Sequence, residues 1–136
     1  MFAQLDTKSV YSFMDSVVDL NSYVARAKEL GYQALGLMDR DNLYAAYHFA
    51  QLASRNGLRP LIGMEANLFY EGRKIPFRLL AKNNQGYKNL MKLATELSSG
   101  QREFTAFSDY LNAIALILPS EDWEPGMTLG SEVFIG

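Results

Sequence analysis

Cysteine is absent from the 136 residues, which excludes a disulfide framework, a thiol nucleophile and a thiolate metal site. Histidine occurs once, at His48, so a zinc site of the usual histidine-rich kind cannot be assembled within the chain. His48 falls in the middle of a helical pattern without an evident partner, and no general-base role is assigned to it. No apolar run approaches the roughly 20 residues needed to cross a bilayer. Met1 to Asp6 carries no basic stretch leading into an apolar core of signal-peptide length. The expectation is a cytoplasmic chain with no membrane contact. An excess of positive charge is also missing, since 13 Lys and Arg stand against 15 Asp and Glu for a net charge of -2. The basic residues read as dispersed rather than gathered in a stripe, which disfavours direct nucleic-acid binding. There is no glycine-rich phosphate loop, no dinucleotide fingerprint and no Ser-His-Asp arrangement, because the ten glycines are scattered through turns and helix ends.

What is present is ordinary for one soluble domain or part of one: 49% hydrophobic and 21% charged residues. Thin alternation over Phe2 to Thr7 suggests a short first strand. From Asn21 as N-cap, Tyr23, Val24, Ala27 and Leu30 recur at helical spacing and Gly31 stops the helix. Gln33 to Met38 is a compact apolar strand ending in the polar cluster Asp39-Arg40-Asp41-Asn42. Asp41 or Asn42 is then expected to cap a helix whose apolar face is Leu43, Ala46, Tyr47, Ala50 and Ala53, closed by Asn56-Gly57. Pro60 to Met64 reads as a third buried strand that delivers Glu65, followed by a hairpin in which Ala66 to Tyr70 and Lys74 to Ala81 flank Glu71-Gly72. Asn83 or Asn84 caps a third helix with the face Leu90, Leu93, Ala94 and Leu97, stopped by Ser98-Ser99-Gly100. A short helix is expected within Phe104 to Leu111 and a last strand over Ala113 to Leu118, beyond which periodicity fades.

Repeated strand-helix units with apolar strands predict an α/β fold built on a parallel sheet or barrel. Four such units are too few to close a barrel that needs about eight. The aromatics Tyr11, Phe13, Tyr23, Tyr44, Tyr47, Phe49, Phe69, Tyr70, Phe77 and Tyr87 have the spacing of core and helix-sheet packing, and no basic groove surrounds them to favour stacking on bases. In parallel α/β folds ligands collect beyond the carboxyl ends of strands, and three predicted strands end near Asp6, Asp39 and Glu65. Three carboxylates there suit a hard cation such as magnesium or manganese. On spacing alone the favoured reading is that each acid caps a neighbouring helix or pairs with Lys8 or Arg40.

Several stretches in register carry a resemblance. They are Tyr11-Ser12-Phe13-Met14-Asp15, Val24 to Gly31, Ala34-Leu35-Gly36-Leu37-Met38-Asp39, Asn42-Leu43-Tyr44, Pro60 to Glu65, Leu79 to Asn83, and Gly86-Tyr87-Lys88-Asn89-Leu90. Their order and gaps, from about Phe2 to Leu118, resemble the amino-terminal polymerase-and-histidinol-phosphatase (PHP) domain of bacterial DNA polymerase III alpha subunits. The resemblance implies a distorted barrel of seven strand-helix units with a β-hairpin insertion, of which residues 1-136 would be the front half in a much longer chain.

Active relatives are expected to carry histidines at the positions of Gln4, Asp6 and Lys8, and an Asp-His pair where this chain has Asp39-Arg40. Of the first-half metal set only Asp39 and the acid at Glu65 remain. Charged Lys8 and Arg40 cannot ligate a metal. The expectation is a vestigial site without catalytic residues or resident metal, in which Lys8 and Arg40 neutralise Asp6, Asp39 and Glu65. Weak magnesium or manganese binding through carboxylates and water is the competing expectation. The resemblance further implies a non-catalytic structural and docking part of a replicative DNA polymerase. Polymerisation would belong to a separate palm domain, and the partners would be the palm and thumb of the same chain and a proofreading exonuclease subunit. DNA would be met only through the parent chain. The runner-up is a metal-dependent phosphoesterase or 3'-5' exonuclease of the same family, in which a metal-activated water attacks a phosphate ester.

Overall fold

The computed structural model describes residues 3-4, 19-123, 129 and 132-135. The elements run β1 (Ala3–Gln4), α1 (Leu20–Glu29), β2 (Ala34–Arg40), α2 (Ala46–Arg55), β3 (Arg59–Tyr70), β4 (Arg73–Ala81), α3 (Asn84–Ser98), a 3-10 helix (Phe104–Tyr110), β5 (Ile114–Leu118), a single 3-10 turn (Ser120–Asp122) and β6 (Glu132–Ile135). The class is α/β. The chain divides into two compact units, 1-64 and 65-136, with β3 running across the division.

In the first unit the strand order is β1, β2, β3. β1 lies parallel to β2 with Ala3 opposite Ala34 and Gln4 opposite Leu35. The rest of the predicted first strand, Asp6 and Lys8 included, lies outside the described residues. β2 is buried at six successive positions from Ala34 to Asp39, the pattern of a strand covered on both faces rather than one. Its core neighbours are Val24 and Ala27 of α1, Phe49 and Ala53 of α2, and Leu58. Tyr23 stacks on Phe49 at 6.1 Å between ring centroids and donates its hydroxyl to the Gly36 carbonyl at 2.7 Å, so its polar tip is satisfied inside an apolar layer.

The helix ends differ from expectation at the start and agree at the stop. Asp19, not Asn21, caps α1: its carboxylate accepts from the Asn21 amide at 3.0 Å and from the Ser22 hydroxyl at 3.2 Å. The helix therefore begins earlier, and Leu30, expected on its buried face, becomes the C-cap and is 53% exposed. Gly31 and Gly57 take the left-handed conformation at φ +81° and +75°. Each lets the following amide reach back to the carbonyl five residues earlier, Tyr32 to Ala27 at 3.0 Å and Leu58 to Ala53 at 2.9 Å. That bond pattern absorbs carbonyls left over at a helix end. On α2 the buried anchor is Phe49, while Tyr47, expected inside, is 68% exposed.

In the second unit the order is β3, β4, β5, β6. The expected hairpin is present, with Glu71 and Gly72 both at positive φ, 50° and 77°, as a two-residue turn matched to the twist of its strands requires. β3 is one long strand, not a short strand followed by a separate hairpin arm. The sheet is mixed: β4 pairs antiparallel with β5 and β5 parallel with β6. The parallel pattern is interrupted at β4 by the expected hairpin, because a two-residue turn can only reverse the chain, and the strand that follows α3 returns beside β4. The expected short helix is a 3-10 helix whose Phe104 stacks on Phe77 at 4.8 Å and meets Tyr70 edge-on at 5.7 Å. β6 arises in the stretch expected to have little periodicity.

α3 docks through Gly86, Asn89, Leu90, Leu93 and Leu97. Asn83 caps it by accepting from the Gly86 amide at 3.0 Å. Asn89 is buried, yet its amide donates to the Asn112 carbonyl at 2.7 Å and its oxygen accepts from Gln85 at 3.1 Å. A Cβ on Gly86 would sit 2.2 Å from the Ala113 carbonyl oxygen and 3.1 Å from Ala81 Cα. The Ala113 oxygen also accepts from the Lys82 amide at 2.9 Å, so it has little freedom to move. Gly86→Ala is expected to destabilise the chain by about 2 kcal/mol, the usual scale of overpacking, lowering the midpoint of thermal unfolding by roughly 6 °C. An unchanged melting curve would show that the helix start is not seated this closely.

Candidate functional site

The candidate site begins where β2 ends. A strand buried on both faces carries its side chains inward whatever their polarity, and in β2 that includes Asp39, only 2% exposed. Burying a carboxylate is costly without hydrogen bonds or opposite charge around it. Arg40 follows it, half-buried, with its Nε among the buried side-chain atoms. These two adjacent residues form the described heart of the site, an acid and a permanent cation carried to the end of one strand.

The next three residues turn the chain sharply. Asp41 adopts φ +60°, a left-handed conformation that aspartate and asparagine tolerate better than other side chains with a Cβ. Asn42 then ties the loop on both sides: its amide donates to the Arg40 carbonyl at 2.8 Å, and its oxygen accepts from the Tyr44 amide at 3.1 Å. Contrary to the expectation from the sequence, neither Asp41 nor Asn42 caps α2. The N-cap is Ala45, without a side-chain bond, because Asn42 is spent three residues earlier on the turn. Sequence reasoning missed this role, although an Asp-Asn pair directly after an apolar strand is itself a turn signal.

The remaining candidates fare differently. Gln4 closes β1 opposite Leu35, and the parallel register gives it the strand direction in which β2 runs on to Asp39. Its side chain, and the whole of Asp6 and Lys8, lie outside the described residues. Glu65 is not at a strand end: it is half-buried inside β3, between buried Met64 and Ala66, and belongs to the second unit. The picture of three acids each delivered by the end of its own strand therefore does not hold for Glu65. Its place in the strand interior follows from the run of β-forming residues that carries β3 on to Tyr70. His48 is on the exposed side of α2.

Among the described residues no three acidic or histidine side chains approach closely enough to hold a metal ion. The described donor set is a poor fit for a divalent ion on chemical grounds as well, since the residue that follows Asp39 in the chain is a guanidinium with no lone pair to give. Among the described residues no helix is long and apolar enough to cross a membrane.

Comparison with known proteins gives a consistent picture. Residues 4-123 match the model of the PHP domain. The chain is 47% identical over 136 residues to DNA polymerase III subunit alpha of Streptococcus pyogenes serotype M1, covering all of this chain and 13% of that protein. It is 33% identical over 126 residues to the protein of the same name from Bacillus subtilis strain 168, covering 88% of this chain and 11% of the relative. The Aquifex aeolicus protein of that name is 33% identical over 111 residues. The chain thus spans only about an eighth of the length of these relatives, at their amino-terminal region. Among solved structures, a Bifidobacterium adolescentis protein described as a metal-dependent phosphoesterase superposes with a TM-score of 0.56 at 16% identity, covering 69% of this chain and 32% of that one. At that identity the likeness is one of fold.

The loop after β2 makes a specific demand on Asn42. Asn42→Ala removes both of its hydrogen bonds and is expected to cost about 1–2 kcal/mol in denaturant unfolding, with faster amide exchange at Tyr44. Asn42→Asp, which keeps the acceptor for Tyr44 but loses the donor to Arg40, is expected to fall between the two. Equal exchange at Tyr44 in all three proteins would show that the turn forms without the side chain.

Proposed function

The chain belongs to the PHP domain family, and from that premise we propose that it is a non-catalytic structural and docking part of a bacterial replicative DNA polymerase. The single observation that carries this reading is 47% identity along the whole chain to the amino-terminal region of a DNA polymerase III alpha subunit. The parent would extend DNA from deoxynucleoside triphosphates in the cytoplasm, with its polymerising acids in a palm domain outside these residues. The described units would be the front half of a distorted seven-unit barrel completed by chain that follows. The palm and thumb of the same polypeptide would be its first neighbours, and a proofreading subunit a further one.

Within that reading the site is a vestige held by ion pairs. Lys8 and Arg40 would stand where active relatives hold metal, and would neutralise Asp6 and Asp39. The support is chemical: a buried carboxylate at Asp39 needs compensation, and the residue next to it is a cation rather than a ligand. Fixed cations do the charge balancing of bound metals without activating water, which leaves the architecture and removes the hydrolysis. Gln4 keeps a polar but uncharged group at the first position of the set. The phosphoesterase alternative gains nothing from the Bifidobacterium structure, whose likeness is limited to fold.

The test is metal uptake paired with hydrolysis. Calorimetric titration with manganese is expected to give no stoichiometric binding, and the protein is expected to leave a generic phosphodiester uncut with or without Asp39→Ala. Saturable manganese binding together with cleavage that disappears in Asp39→Ala would overturn the reading in favour of a hydrolase. In the full-length alpha subunit, Arg40→Ala is expected to lower stability by roughly 1–3 kcal/mol, the scale of a partly buried charge left uncompensated. Primer extension per folded molecule should be retained.

A further inference from the structure

Averaged over the chain, charge is slightly negative, but its distribution is uneven. From Gly72 to Thr95 there are six cations, Arg73, Lys74, Arg78, Lys82, Lys88 and Lys92, and not one carboxylate. Almost half of the 13 basic residues therefore fall in 24 residues that have no internal neutralisation. The structure sorts them. Arg73 is half-buried and donates to the Asp122 carbonyl at 2.7 Å, and Arg78 is half-buried in β4. Lys88 and Lys92 are exposed, one helical turn apart on the side of α3 opposite its buried residues. With Gln85, Met91 and Thr95 they line an open groove of about 540 Å³ along the helix. Met91, 43% exposed, lies beside them on this shallow surface.

This lining has a definite chemistry. Lysines at i and i+4 stand about 6 Å apart on a helix, close to the spacing of successive phosphates along a nucleic-acid strand. The chemistry of phosphate contacts is dominated by cationic donors, and the groove offers Lys88 and Lys92. No acidic side chain lines it, so an approaching polyanion meets no like charge within the groove. An acidic protein segment would satisfy the two lysines equally well, but it would leave unused the run of six cations without a carboxylate that extends from Gly72 to Thr95, up to Glu96 one turn beyond Lys92. We infer that the Lys88–Lys92 face of α3 is a contact for the phosphodiester backbone of DNA, sequence-independent and electrostatic. This rests on the polymerase reading, because it is the parent's substrate that would pass over the face, and it replaces the expectation that this segment meets DNA only through the parent. The dispersed appearance of the basic residues in the sequence came from counting signs over the whole chain instead of over α3 and its approach.

The test uses the full-length alpha subunit and a fluorescein-labelled primer-template, with binding followed by anisotropy across a range of salt. Lys88→Glu with Lys92→Glu is expected to weaken binding about ten- to a hundred-fold at low salt, and to flatten the dependence of log affinity on log salt by about two phosphate contacts. Lys88→Gln with Lys92→Gln should show the smaller part of the same change. Lys28→Glu on α1, also an exposed lysine, controls for net charge and should leave affinity nearly as it was. Affinity and salt slope unaltered in both double variants would overturn the inference, and so would an equal loss in Lys28→Glu. A groove that serves an acidic protein segment would give the first of those results. Failure of the polymerase reading looks different: the unsubstituted full-length protein would then not extend the primer at all.

Discussion

Six consecutive buried residues in β2, ending on Asp39, set the terms for the first unit. A strand with no exposed face must be covered on both, and α1 and α2 supply Val24, Ala27, Phe49 and Ala53 to the face that carries Leu35 and Leu37. The same two-sided burial carries a carboxylate inward with the apolar side chains before it. An acid in that position has to be compensated, and the nearest residue in the chain is Arg40. In a metal-bearing relative the compensation would be an ion. In the proposed reading Arg40 takes that role here, and the loop that follows is bound into shape by Asn42 through the Arg40 carbonyl.

The second unit meets a different constraint, the close seating of a helix start on a strand end. Gly86 has no room for a Cβ, Asn83 caps the first turn, and buried Asn89 reaches the Asn112 carbonyl. Ala113, next in the chain, takes φ +61°, a conformation unfavourable for alanine. This compact arrangement fixes which side of α3 faces inward and leaves the side with Lys88 and Lys92 to solvent. A structural device thus selects the surface on which charge is displayed, and a chain with net charge of -2 presents a local face of the opposite sign.

Much of this was legible from residue order. The strands, the three helices, their glycine stops and the Glu71-Gly72 hairpin follow from periodicity and turn chemistry, because those signals are local and need only a few neighbouring residues. The errors are local too, but each has a tertiary cause. Asp19 displaced Asn21 as a cap because both residues suit the role and packing chose the earlier start. Tyr47 went out and Phe49 in because α2 is rotated to stack Phe49 under Tyr23. Glu65 was read as a strand end because Pro60 to Met64 reads as a short strand complete in itself, whereas the strand continues through to Tyr70.

By itself the sequence determined the α/β class, the positions of the turns, the absence of thiol chemistry and of a histidine cluster, and the identity of the residues proposed to stand in the metal-binding positions of the family. These depend on what each side chain is and on its nearest neighbours along the chain, so no folding is required to read them. Only the tertiary structure decided that Asp39 is buried while Glu65 lies inside a long strand, that the sheet is mixed, and which side of α3 is turned inward. Burial, strand direction and the composition of a surface are properties of residues brought together from distant parts of the chain, and that encounter is written in packing rather than in spacing.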